Sequence, residues 1–562
     1  MKKVLLLILI PFVTYAQSEY PQDYFRDPLD ITLVLSGTFG ELRSSHFHSG
    51  IDIKTQQKQG LKVYTSASGY VSRIKISHYG YGKALYVTHP NGYTSVYGHL
   101  QKFSDRLEAY IKECQYEKES FEVEVFPNPD ELVVATDEVI AYSGNTGGSG
   151  GPHLHFEIRD NQERPINPMY FGIDVKDTTR PFVSAIYAYP KDKNATINGK
   201  NKRVQLRLIP KKTGDYEVEK IKAYGDIGFG ITSYDKQDLA PNTNGLSNIQ
   251  TFFNGNKRLE IDFKRFSFSE TKHIKRFIDY AHFKEKRSRI QKLFIQKNNP
   301  LSLYKDAAND GYIRVEDSTS SVYKVRLRDY KGNETWVNIP ISGKKETLEE
   351  APYDAMSKTT LIYSDQPTTL ESGHVSVNFY SNTVYDDVMI NFSVSSDTLM
   401  LHEDNIPLQK NFYINYDLSH YKTEHLDKIF IARLYGFYKK PSYVNTKRKG
   451  NILSAGSKTF GTYTLVTDTI APTIKPLNFQ NKKWLSKYRY LKIKIDDDLS
   501  GISKYRATVN GQWILMEYDY KTKTLVHDFN DDVIKDTENE LKIIVTDNVG
   551  NSSTFEATFF RK

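Results

Sequence analysis

Seven of the chain's 14 histidines fall between His46 and His155, about a fifth of its 562 residues. Four groups in this stretch have the residue types and spacing for metal chemistry. The first is His48-Ser49-Gly50-Ile51-Asp52. An imidazole and a carboxylate four apart can converge on one ion if the backbone bends, and Gly50 permits that. The second is His153-Leu154-His155. On a strand, residues two apart face the same side, so both imidazoles enter one cleft while Leu154 and Phe156 face a core. The third is His99, in Tyr97-Gly98-His99-Leu100. The fourth is the glycine-rich run from Gly144 to Pro152, which leads into His153 and could let a substrate backbone come close.

These donors suit zinc. A catalytic zinc takes three protein ligands from nitrogen and oxygen donors and keeps one position open for water. The ion lowers the pKa of that water toward roughly 7 and polarises a carbonyl. His48, Asp52 and His155 supply the three ligands for one zinc per chain. His99 and His153 remain for proton transfer and for stabilising a tetrahedral intermediate. A thermolysin-like helix is excluded, because His402-Glu403 has no histidine four residues after His402. The single cysteine, Cys114, excludes a disulfide framework, a Cys-based zinc finger and an iron–sulfur site.

Strands and tight turns must position these residues. Ala84 to His89 reads as a strand, Pro90-Asn91-Gly92 as a turn, and Tyr93 to Tyr97 as the returning strand. Ser104 to Cys114 is the one helical patch in this region, with Leu107 and Ile111 four apart. Aromatics reach 13%, with 40 tyrosines, which favours half-buried strands throughout. The expected fold is therefore mainly β: a small antiparallel sheet carrying the zinc site over residues 17–175, then β-sandwich modules.

Two short patterns recur and mark those modules. Asp177-Thr178-Thr179-Arg180-Pro181 matches Asp468-Thr469-Ile470-Ala471-Pro472. Asp329-Tyr330-Lys331-Gly332-Asn333 matches Asp547-Asn548-Val549-Gly550-Asn551, and each follows an alternating strand. The boundaries that follow are a β-sandwich module over 176–342, with a helical insertion near 266–304, and an Ig-like sandwich over 469–562. A β-rich domain without the repeat marks lies between them at 350–468. Gly343 to Pro352 is the expected linker.

Several residues have plainer readings. His46 and His89 read as structural, His78 as solvated, and Cys114 as a small core residue. Glu157 shares a face with His153 and His155, and either orients a ligand or is merely exposed. Lys284 to Arg289 reads as a solvated helix face. Asp496-Asp497-Asp498 lacks the spacing of an EF-hand and reads as a turn. At the start, Lys2, Lys3, the apolar run Val4 to Val13 and Thr14-Tyr15-Ala16 read as a signal peptide cut after Ala16, the alternative being an uncleaved anchor. The expectation is an exported chain, in the periplasm or outside the cell, with no transmembrane segment. The net charge of +8 does not suggest nucleic-acid binding.

His-x3-Asp, Tyr-Gly-His-Leu and Gly-Pro-His-Leu-His-Phe-Glu, in this order, resemble the lysostaphin-type (LytM-like) zinc peptidases. The resemblance covers roughly residues 40–172 and includes the His89-Pro90-Asn91-Gly92-Tyr93 turn and the closing Pro165-Ile166-Asn167-Pro168. It implies a groove with zinc at its floor and peptidoglycan as substrate. It also implies His48, Asp52 and His155 as ligands, His153 as general base and His99 as its partner. The segment Leu100 to Glu131 is longer than in compact members and could wall the groove. The β-modules have no part in the resemblance. They would position the enzyme or meet an envelope protein partner. Two other readings stand beside it: a non-catalytic regulator that activates a wall amidase, and a zinc peptidase for exported proteins.

Overall fold

The alternation in the strand His153–Arg159 organises the N-terminal domain. Leu154, Phe156 and Ile158 enter one hydrophobic core, so His153, His155, Glu157 and Arg159 occupy the opposite face. In this computed structural model, which describes residues 19–346 and 359–562, that strand is central in an antiparallel sheet. The order is Leu35–Gly37, Ile51–Lys54, His153–Arg159, Thr94–Leu100, Lys83–Thr88, Gly69–Ile76 and Val123–Val125. The expected leader, residues 1–16, and part of the expected linker lie outside the described residues.

Register does the positioning. His155 stands opposite Asp52 on one neighbouring strand and opposite Gly98 on the other. Gly50 is required for close approach: a Cβ there would lie 2.3 Å from the Phe156 carbonyl oxygen. At the end of the strand Thr94–Leu100 the alternation breaks. Tyr97 and Leu100, three residues apart, both enter the core, and His99 between them has φ +58°. That left-handed residue takes up the extra position and turns its imidazole away from the core.

A second small sheet, Lys62–Tyr64, Val139–Tyr142 and Lys102–Phe103, closes the core from the other side. The helix Asp105–Glu117 buries Leu107 and Ile111, with Cys114 packed at the core's edge. Its outer side packs against the last module. Tyr116 donates to Asp531 at 2.9 Å and meets Trp513 edge-on, so the Leu100 to Glu131 segment is a platform for the last module. His78 is not solvated either; it is half-buried between Phe121 and Tyr518 at the same contact.

The rest of the described chain is also β. Residues 182–343 form a large mixed sheet whose core also takes Phe39 and Phe47 from the N-terminal domain. The expected insertion holds two short α-helices, Ile274–Phe277 and Tyr280–Lys286. Residues 359–467 form two sheets of six and five strands, and 473–560 two sheets of four and five. The repeated patterns adopt one geometry. Asn333 donates to both oxygens of Asp329 and to the Asp177 carbonyl, and Asn551 treats Asp547 and Asp468 in the same way.

The modules form a closed circuit. The second meets the third through Arg276–Asp386 and Tyr280–Asp404. The third meets the fourth through Lys428 and the Val549 carbonyl. The fourth returns to the first through Lys83–Glu517 at 2.8 Å and Arg506–Glu119 at 2.6 Å.

Candidate metal centre

His48, Asp52 and His155 converge in the first sheet, all three buried. His48 Nε2 lies 3.0 Å from Asp52 Oδ1 and 3.2 Å from His155 Nδ1, and His155 Nδ1 lies 2.9 Å from the same oxygen. The far side of each ring is committed. His48 Nδ1–H donates to the Thr38 carbonyl at 2.8 Å, and His155 Nε2–H donates to Glu157 Oε1 at 2.8 Å. Both partners are acceptors only, so each neutral imidazole turns its lone pair inward. Three electron-rich atoms this close need a shared positive charge. A proton is one answer: burial works to lower the His155 pKa, but hydrogen bonds to Asp52 and Glu157 override it and raise it to about 9. A metal is the other. Four ligands at about 2.0–2.1 Å in a tetrahedron have edges of about 3.3–3.4 Å, so these three atoms need open by only a few tenths of an ångström.

The carboxylates are charged. Burial opposes ionisation of Asp52, yet His48 and hydrogen bonds from His153 and His155 hold it well below the ordinary carboxylate range. Arg43 Nη2 binds Asp52 Oδ2 at 3.0 Å, which leaves Oδ1 for the cluster. Glu157 is fully buried, and Arg159 at 2.7 Å and His155 hold its pKa down against the burial. Ser49 at 2.6 Å and the Tyr81 hydroxyl also donate to its Oε1, and Tyr81 stacks on the His155 ring at 4.8 Å. Of the two readings of Glu157, the structure favours the one in which it orients a ligand.

His99 and His153 flank the cluster with ring centres 4.7 Å apart. His99 Nδ1–H donates to the Thr146 carbonyl at 2.8 Å, and His153 Nδ1–H to the Gly151 carbonyl at 2.9 Å. Burial and the neighbouring imidazoles push His99 down to about 3, so it is neutral at ordinary pH. His153 Nε2 lies 3.4 Å from Asp52 Oδ1. The loop before His153 splits in its use of glycine. Gly147 packs on Gly82, where a Cβ would come within 2.3 Å of the Gly82 nitrogen, while Gly150 and Gly151 face open space. His89 is structural, bonded to the Ser68 carbonyl and Ser95, and His46 is exposed. Thr38, Arg43 and Tyr81 escaped the sequence reading; only Arg43, a basic residue nine before Asp52, carried a signal.

Residues 46–116 and 129–168 match Peptidase family M23. The chain carries an M23 peptidase domain. Residues 359–468 match a Zu5-like domain, so the β-rich third module has its own family likeness. Among curated relatives, DD-carboxypeptidase/endopeptidase Mpg of Neisseria meningitidis serogroup B is 31% identical over 169 residues, covering 30% of this chain and 31% of that protein. Peptidoglycan DD-endopeptidase ShyA of Vibrio cholerae is 29% identical over 161 residues, 29% of each chain. The chain thus spans about a third of the length of the curated relatives it matches. The catalytic domain of lysostaphin from Staphylococcus simulans is 25% identical, over 24% of this chain and 87% of that one, with a TM-score of 0.18. The ligand-like cluster of the M23 domain lies wholly within the matched residues.

Proposed function

We propose that the chain is an exported zinc endopeptidase that hydrolyses peptide bonds, in the stem or the cross-link, of bacterial peptidoglycan. The observation that carries this is the meeting of His48 Nε2, His155 Nδ1 and Asp52 Oδ1 within 3.2 Å, with both ring N–H groups turned away. Those three residues would hold one zinc ion and leave a position open to the cleft. Zinc held there supplies an activated water and a polarised carbonyl.

The remaining residues divide the proton work. His153 has its Nδ1–H tied to Gly151, so its Nε2 faces the cluster, 3.4 Å from Asp52 Oδ1, and would take a proton from the attacking water and return it to the leaving amine. His99, tied through Nδ1 to Thr146 and kept neutral by burial, presents its own Nε2 beside His153 and orients the same water. Once protonated, His153 becomes a donor for the oxyanion. Thr38, Arg43 and Glu157 hold the ligands in their tautomers and rotamers. The names of the matched relatives support peptidoglycan as substrate. The basic, apolar and small-residue order of residues 2–16 supports export. A full set of ligands and both flanking histidines favours an enzyme over a non-catalytic regulator.

The test is digestion of purified peptidoglycan with the zinc-loaded chain, with and without chelator, and separation of the fragments. New free amines on soluble muropeptides, lost with chelator and regained with zinc, are expected. No cleavage after zinc reconstitution would overturn the reading.

A further inference from the structure

At the joint between the M23 domain and the second module, three carboxylates crowd together. Asp177 begins the module, Asp235 follows the strand Ile221–Tyr234, and Asp329 opens the turn to Asn333. One oxygen of each lies within 4.8 Å of the others. Asp235 is 3% exposed, and its Oδ1 has no hydrogen-bond partner. The nearby cations have other partners: Lys331, which also lines the cavity at Asp177 and Asp235, pairs with Asp174, Arg180 with Asp215, and Lys236 lies over the rings of Phe182 and Tyr234. Burial and the negative neighbours push Asp235 up to about 9 and Asp177 up to about 6.

A second observation points to a ligand. Gln237 is 6% exposed and its Oε1 has no donor. It lines the same cavity as Asp177 and Asp235, about 20 Å³ in volume and large enough for a single ion or water. The trio also recurs. Asp468, Asp497 and Asp547 converge within the same limit in the last module, and the Asn551 clamp there repeats the Asn333 clamp here.

We propose that Asp177, Asp235, Asp329 and Gln237 hold a calcium ion at this joint. All four donors are oxygens, three of them carboxylates in an irregular cage, which is the donor set of a hard cation with flexible coordination. The same cavity is also lined by Thr38 and Phe39. Thr38 is the residue whose carbonyl fixes His48, so the ion would brace the loop on which a zinc ligand rests. The inference shares no ligand with the zinc site and stands or falls apart from it.

The full mature chain, stripped with EGTA and dialysed against calcium chloride, is compared with Asp235→Asn and Gln237→Met by elemental analysis and thermal unfolding. Asp235→Asn should bind one calcium fewer per chain and retain its zinc. In EGTA at neutral pH it should unfold close to the parent's temperature, because burial already keeps Asp235 uncharged there, and calcium should raise its midpoint less. Gln237→Met leaves the carboxylates intact and should weaken calcium binding by about tenfold. If both variants bind as much calcium as the parent with equal affinity, or the parent binds none at this joint, the proposal is wrong.

Discussion

Glu157→Gln separates metal tuning from fold stability. The substitution keeps the side chain's shape and removes its charge. In the parent, Oε1 accepts from His155 at 2.8 Å, from Ser49 at 2.6 Å and from Tyr81, while Oε2 accepts from Arg159 at 2.7 Å. A glutamine oxygen can keep the first three bonds. Its NH2 must then face the Arg159 guanidinium, donor against donor, where Glu157 is 0% exposed. Removing one partner of a buried ion pair costs about 3–5 kcal/mol, and that is the expected loss of stability. Loss of the charge behind His155 should weaken zinc binding by about 10- to 100-fold, or about 1.4–2.7 kcal/mol. The double variant Glu157→Gln/Arg159→Met should regain stability but not zinc affinity. Urea unfolding in excess zinc gives the first quantity, and competition with a chromophoric chelator gives the second. A folded single variant that binds zinc as tightly as the parent refutes the role given to Glu157.

Other predictions address neighbouring parts of the chain. His153→Ala should keep zinc and lose about 10²–10⁴ in turnover, while His155→Ala should lose zinc affinity as well; metal content and cleavage rate on the same samples decide it. Phe47→Ala should cost about 3–5 kcal/mol, because this 1% exposed ring from the M23 domain sits in the second module's core, and denaturant titration reads the loss directly. Lys292 gives a pH signature: burial and the Arg276 charge lower it to about 7 from an ordinary 10.5. Between those values the unfolded chain binds more protons, so stability should rise with pH across the window, by at most about 1.4 kcal/mol per unit. Lys292→Met should flatten that part of the stability curve, and an unchanged slope between neutral and alkaline pH would count against the burial argument.

The convergence of His48, Asp52 and His155 was legible because its signals are local. His48 and Asp52 lie four apart, and His153 and His155 share a strand face by simple alternation. The Asp-x-x-Gly-Asn turns were equally plain, since one asparagine clamps two backbone segments. What escaped has no periodic signature. Nothing in the sequence marks His99 as the left-handed residue that breaks its strand's alternation, because the break is visible only when Tyr97 and Leu100 are both found inside. Phe39 and Phe47 read as ordinary apolar residues, and only the tertiary fold sends them into the next module's core. The solvated reading of His78 failed, and the docking of the Leu100 to Glu131 segment on the last module escaped, for a related reason. Their partners, Asp531 and Tyr518, lie some four hundred residues away.

The grip of the last module on the glycine loop also has a bearing on when the candidate site is finished. Tyr520 donates to the Gly147 carbonyl, and Lys521 reaches the carbonyls of Asn145 and Ser149, just ahead of His153. Tyr520 stands 373 residues after Gly147. Domains fold in the order they are made, so the M23 domain is synthesised early and its loop is steadied last. A chain ending at residue 468 should therefore carry its zinc yet cleave more slowly than the whole chain, and equal rates would show that the loop needs no such hold. On the proposed function, such a chain would stay blunt until its C-terminal module is in place.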